Sequence, residues 1–240
     1  MQEKELKTST GQRVAISIIA FFMIGSIIAS YAAIIVGNST KSNDTSGLSE
    51  ERKLYYQQKY ANALSKFKEA SASDFTKFSP YLAEVKAYNE TSANGDAVQT
   101  RDLVAGTGRT LGEKDGDYLA YYVGWCADET IFDSSLDSDK SPAAFAKALD
   151  VSVGMIEGWY IGMQGAKLGG IREITIPGKL AYGEQSEICG GYNKPLRFMV
   201  MPVAAEDPFK TISKDLDSAY MMLQYANYGI DYEQQAVQTQ

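Results

Sequence analysis

The chain has 240 residues, with 23 Lys and Arg against 30 Asp and Glu, and it contains no histidine. A net charge of −7 repels phosphate backbones, so no nucleic-acid partner is expected. Without histidine the usual proton shuttle, the Ser–His and Cys–His dyads and most zinc sites are excluded, and the two cysteines, Cys126 and Cys189, form no CxxC pair.

In chain order, the first expected element is Val14 to Val36 (VAISIIAFFMIGSIIASYAAIIV), 23 residues without a charge. A bilayer core about 30 Å thick takes roughly 20 apolar helical residues, whereas a signal-peptide core has roughly 7–15. An uncleaved transmembrane anchor over 14–36 is therefore expected, with the small residues at Ser30–Ala33 leaving cleavage as the alternative. Lys4, Lys7 and Arg13 precede the span and Lys41 alone follows it closely, which assigns residues 1–13 to the cytoplasm and everything after Gly37 to the outside.

Residues 37–94 read as a polar spacer and helical linker. Asn38–Gly47 (NSTKSNDTSG) is the spacer. Ser49–Ala70 predicts a helix with Leu54, Ala61, Leu64 and Phe67 on one stripe. A second helix is expected from a Ser73–Asp74 cap, with Phe75, Phe78, Leu82 and Val85 at spacings of three and four and with Pro80 kinking or restarting it. Two readings stand for this pair: spacers that lift a domain off the membrane, or a homodimer or partner contact through residues 49–90. Thr91–Asp96 (TSANGD) marks a boundary, after which the period changes from helix to strand.

Asp117–Cys126 (DYLAYYVGWC) alternates. Leu119, Tyr121, Val123 and Trp125 point one way, and Ala120, Tyr122, Gly124 and Cys126 the other. Ile171–Ile176 and Leu196–Val203 are further strands, Val98–Val104 is a weaker one, and a short helix lies within Met155–Gly170 (MIEGWYIGMQGAKLGG). Residues 95–204 thus predict an α+β domain, a sheet with one helix packed on it. The tail, 205–240, carries Ile212, Leu216, Tyr220 and Leu223 at helical spacing and predicts an amphipathic helix over 210–227 that packs on the domain or on a partner.

Across roughly 96–203 the order VQTRDLVAGTG, Tyr122–Val123–Gly124, IFDSS at 131–135, Ile156–Glu157–Gly158–Trp159, KLGGIREITI at 167–176 with Pro177, LAYG at 180–183 and Pro195–Leu196–Arg197–Phe198 resembles an FKBP-type peptidyl-prolyl cis-trans isomerase domain. The resemblance implies an FKBP-like antiparallel half-barrel of about five strands wrapped around one short helix, and rotation of X–Pro bonds without cofactor or metal. It implies a pocket of Tyr122, Phe132, Asp133, Ile156, Trp159, Tyr182 and Phe198, with Phe145 and Met155 as further substrate contacts. Trp159 would be the floor, and Tyr122, Phe132 and Phe198 would complete an apolar bowl for a proline ring. The Tyr182 hydroxyl and the Ile156 N–H would donate to substrate carbonyls. Asp133 would orient polar groups at the rim or, on the simpler reading, cap the turn before Ser134–Ser135. Tyr121 and Tyr122 face opposite sides, and alignment with Gly124 selects Tyr122. Gly158 would let the chain turn closely into the helix, and Gly169–Gly170 would end the next connection.

The resemblance implies proline-containing polypeptide clients and, with the anchor, a cell-membrane protein that assists folding outside the cytoplasm. The alternative is an FKBP-like binding or chaperone module with little catalysis. Glu184–Tyr192 (EQSEICGGY) departs from the family's apolar overhang, which predicts a more flexible, less apolar rim. Cys126 and Cys189 would be bridged in an oxidising exterior, or else remain a buried thiol and a loop thiol.

Overall fold

The computed structural model describes residues 48–136, 145, 147–206 and 208–233. The expected span at 14–36 lies outside the described residues, as do 1–13 and the spacer up to Gly47. Among the described residues no helix is long and apolar enough to cross a membrane.

The central element is β2 (Tyr118–Trp125), buried along its whole length. It pairs antiparallel with β6 (Leu196–Ala204) on one side. On its other side it pairs with β4 (Leu149–Asp150) near its start and with β3 (Ile131–Ser134) near its end. Beyond β6 lie β5 (Ile171–Ile176) and then β1 (Gln99–Val104), giving a six-stranded sheet in the order β1-β5-β6-β2-β3 with β4 off the path. The β-branched and aromatic content of β2, β5 and β6 suits a pleated surface covered on both faces.

Each face has its own core. Tyr118, Ala120 and Tyr122 of β2 join Ile174, Ile176, Leu196, Phe198 and Val200 in one cluster beneath the short helix α3 (Glu157–Met163). Leu119, Tyr121, Val123 and Trp125 join Met199 and Met201 in the other. The expected alternation of β2 is therefore present, and strands of this kind are buried on both sides because helices cover both.

The second cover departs from the expectation for 49–90. Glu50–Phe78 is one continuous helix, α1, and Ser73–Asp74 lies inside it rather than capping a new one. Its N-cap is Ser49, whose Oγ accepts the Arg52 N–H at 3.3 Å. The ladder runs on through Ser71, Ser73 and Asp74, and Pro80 ends it: the chain continues as a 3₁₀ turn over Ser79–Glu84. The buried stripe is also rotated. Leu54 and Ala61 are exposed, while Tyr56, Phe67, Ser71 and Phe78 are buried. Tyrosine supplies the apolar body that the leucine was expected to give.

This stripe folds back on the sheet. Phe67 and Phe78 of α1 and Leu216 of α4 (Phe209–Asn227) lie in the outer cluster with Tyr121 and Trp125. Farther along the pair, Tyr56 packs with Leu48, Leu223 and Ala226. The helices are antiparallel partners laid over the sheet's outer face. A short helix, α2 (Glu90–Ala93), occupies the expected boundary segment.

Candidate active site

The inner face is built around Trp159, on the first turn of α3. Here a bulky residue sits between glycines because the helix must touch the sheet. A Cβ on Gly158 would stand 2.2 Å from Cγ2 of Ile176, and one on Gly162 would stand 2.9 Å from Cγ2 of Ile174. The glycines at spacing four form a smooth edge that presses α3 onto β5 and aims the indole under the sheet aromatics. This corrects the expected role of Gly158, which serves helix–sheet approach rather than a turn.

The indole is fully buried, and its Nε1–H donates to the Tyr118 hydroxyl at 2.9 Å. Tyr122 meets it edge-on with centroids 5.9 Å apart, and Phe198 does so at 5.5 Å. Phe132 stands edge-on to Phe198 at 5.5 Å. Such T-shaped pairs are worth about 0.5–1.5 kcal/mol each beyond area burial, so the rings hold one another in place. Gly124 makes room for them: a Cβ there would lie 2.7 Å from the Phe198 ring and 2.8 Å from Phe132.

The polar rim begins at Asp133. Its Oδ2 accepts the Tyr122 hydroxyl at 2.6 Å, and its Oδ1 accepts the Ser134 N–H at 2.9 Å. The carboxylate thus holds the Tyr122 hydroxyl and the N–H of its own neighbour within β3, so it caps no turn here. Burial, and then the Asp133 charge, push the Tyr122 hydroxyl well above the usual tyrosine range. The half-buried Tyr182 is raised by the same causes in the same order. Both phenols therefore stay protonated and remain donors at neutral pH. Ile156, 7% exposed, is the N-cap residue of α3, and its N–H precedes the helix's own ladder. Met155 packs beside it with its N–H on the Tyr160 hydroxyl at 3.1 Å.

Phe145 is elsewhere. It belongs to the outer cluster, stacked on Tyr121 with centroids 3.9 Å apart and planes 9° apart, with Phe75 and Phe78 against it. Its expected place as a substrate contact is corrected: the bridge between Leu136 and Phe145 sets it on the face away from Trp159. The other expected pocket residues, Tyr122, Phe132, Ile156, Trp159, Tyr182 and Phe198, and Met155 with them, gather in or against the inner cluster.

Cys126 and Cys189 are joined in a disulfide with Cα atoms 5.4 Å apart. The bridge ties the 184–192 loop to the end of β2. Ile188 of that loop is buried in the inner cluster, and Cys189 packs against it. The rim is therefore stapled and partly apolar, contrary to the expectation of a looser one. Cys189 takes a positive φ of 59°, as does Gly190 at 78°, which turns the loop tightly.

Three supporting residues have roles that the quoted motifs do not assign. Tyr118 accepts from the indole; a buried tryptophan N–H needs such a partner, and Tyr118 lies on the face of β2 shared with Tyr122. The Ser135 hydroxyl accepts the Tyr122 N–H at 2.8 Å and donates to the Tyr122 carbonyl at 3.1 Å. Arg172 donates to the Gly162 and Gln164 carbonyls at the end of α3, at 3.0 and 2.9 Å, and is itself held by Asp102. No periodicity in the sequence marks these long-range bonds.

Comparison with known proteins agrees with this geometry. Residues 113–201 match the family model described as FKBP-type peptidyl-prolyl cis-trans isomerase. An FK506-binding protein of Neisseria meningitidis serogroup C is 34% identical over 93 residues, covering 38% of this chain and 77% of that protein. The chain belongs to the FKBP family of peptidyl-prolyl cis-trans isomerases. A serogroup A relative is 33% identical over 105 residues, 42% of this chain and 87% of its own length. Among solved structures, a peptidyl-prolyl cis-trans isomerase from Pseudomonas syringae is 26% identical and covers 57% of this chain and 94% of its own, with a TM-score of 0.35. The FKBP-type match, over 113–201, does not extend to α1 or α4.

The chemistry suits a chain without histidine. An X–Pro bond rotates over a barrier of about 18–20 kcal/mol set by amide resonance, and no covalent bond breaks. Water stabilises the planar, charge-separated amide more than the twisted one. A dry cup of rings withdraws that stabilisation, and complementarity to the twisted form lowers the barrier further.

Proposed function

We propose that this isomerase acts outside the cytoplasm, held at the cell membrane by a helix over 14–36, and accelerates the folding of exported, proline-containing polypeptides. In this reading Trp159 is the floor and Tyr122, Phe132 and Phe198 are the walls that receive the proline ring. The Ile156 N–H and the Tyr182 hydroxyl donate to the carbonyls flanking the X–Pro bond, Asp133 fixes Tyr122, and Met155 lines the entrance. Uncatalysed isomerisation takes roughly 10–100 s, long enough to limit the folding of a secreted chain.

The observation that supports the location best is the Cys126–Cys189 disulfide at the rim, since such bridges persist in oxidising compartments and are rare in the cytosol. The uncharged stretch at 14–36 and the basic residues before it support the same orientation.

A protease added to intact cells expressing the full chain tests this reading. Cleavage of the isomerase domain without permeabilisation, with the protein pelleting in the membrane fraction, is expected. Protection until the cells are lysed would place the domain inside and overturn the proposal.

A further inference from the structure

Among the described residues, the exposed large apolar side chains are not scattered. Of the eight, Leu54, Tyr55, Met221, Tyr228 and Tyr232 belong to the start of α1 and the end of α4. Residues nearly 180 apart in sequence are brought together there. The Tyr55 hydroxyl donates to Glu233 at 3.1 Å, Arg52 holds Asp231 at 2.7 Å, and the Tyr225 and Tyr232 rings are 5.2 Å apart. Met221, Tyr225 and Tyr228 follow at spacings of four and three along one side of α4 and its end. Tyr228 is 79% exposed. A cluster of this kind on a folded surface marks an interaction site.

We infer that this tyrosine–methionine end of the α1/α4 pair is a lipid-facing surface that rests in the headgroup region of the bilayer. The inference rests on the membrane anchor proposed above. The chain enters the described fold at Leu48, which is buried between Tyr56, Leu223 and Ala226 at this same end. The eleven residues between Val36 and Leu48 reach at most about 40 Å fully extended, so the patch is the part of the domain tethered nearest the span. Tyrosine suits that depth, with an apolar ring and a wet hydroxyl.

Charge narrows the lipid. Glu50 and Glu51 flank the patch, Arg52 and Lys59 are engaged by Asp231 and Glu233, and the chain carries −7 overall. A zwitterionic surface fits, and contact should persist at high salt because attraction to anionic lipid is not its source. Seated this way, the helices lie against the bilayer and the inner cluster around Trp159 lies on the sheet face they do not cover.

The test uses the full chain reconstituted in phosphatidylcholine vesicles, with one fluorophore placed through Tyr228→Cys or, on the exposed side of α3, Ile161→Cys. Flotation of the vesicles first reports the anchor. Headgroup spin-labelled lipid is expected to quench the label at 228 several-fold more than that at 161, unchanged by added salt. Equal, weak quenching in protein that floats would overturn the lipid surface while leaving the anchor intact. A label at 228 that is shielded from water yet not quenched by lipid would assign the patch to a protein partner and also overturn it. Failure to float would remove the anchor and this inference with it.

Discussion

Adjacent residues of β2 show how one strand serves two ends. Tyr121 and Tyr122 are both buried, and burial raises both hydroxyls above the ordinary tyrosine range. Tyr122 faces the inner cluster, donates to Asp133 and meets Trp159 edge-on. Tyr121 faces outward, lies flat on Phe145 and packs near Phe67 and Phe209 of the covering helices. The inner face sets Trp159 among Tyr122, Phe198 and Phe132, with hydrogen bonds holding the indole to Tyr118 and the Tyr122 hydroxyl to Asp133. The outer face fills its space with rings from α1 and α4. Stability and catalysis should therefore separate by face.

Phe145→Ala should give the largest change, a loss of about 3–5 kcal/mol in urea unfolding from the cavity it leaves. Isomerase activity per folded molecule should hold. If activity fell in parallel under strongly native conditions, the two faces would not be separable.

Tyr122→Phe should do the reverse. It strips Asp133 of a partner, costing about 1–3 kcal/mol where that oxygen is left unsatisfied, and should lower kcat/KM more than it lowers the urea midpoint. Tyr118→Phe removes the acceptor of the buried indole N–H and should cost about 1–3 kcal/mol. Its distinguishing sign would be a changed Trp159 emission together with a lower kcat at nearly constant KM. An unchanged spectrum would mean that Tyr118 does not position the indole.

The smallest expected effect is that of pH. Because the folded Tyr122 and Tyr182 hydroxyls titrate above their unfolded value, their contribution is complete below about pH 10 and is lost as pH rises through the folded values. The alkaline limb of kcat/KM should therefore be flat to about pH 10. A midpoint at or below 10 would indicate wet, ordinary tyrosines in the cup. At the acid end, Asp102 is held below its usual value by the Arg172 hydrogen bonds, so that pair contributes above about pH 4 and is lost on further acidification.

The inner face was largely legible from the chain, because alternation in 117–126 and the ordered motifs around Trp159 are local signals. The outer face was less so. The polar pair Ser73–Asp74 looks like a helix start, yet it sits mid-helix because Phe67, Ser71 and Phe78 on either side of it are buried, with both phenylalanines in the outer cluster, and packing overrides a local capping signal. Phe145 is given a face only by the resemblance, which puts it in the pocket, whereas it lies in the outer cluster. Spacing could not tell helices that reach toward a partner from helices that fold back on their own sheet. That choice is made by which apolar surface lies nearest, and here it is the outer side of β2 and β6.

The most direct test sets Trp159→Leu beside Phe145→Leu in a proline-isomerisation assay on the full chain in detergent, each corrected for folded fraction. Trp159→Leu should lose at least about tenfold in kcat/KM, some 1.4 kcal/mol of transition-state stabilisation, while Phe145→Leu stays within about twofold of the parent. Equal losses in the two, or full activity without the indole, would contradict catalysis by the inner aromatic cup.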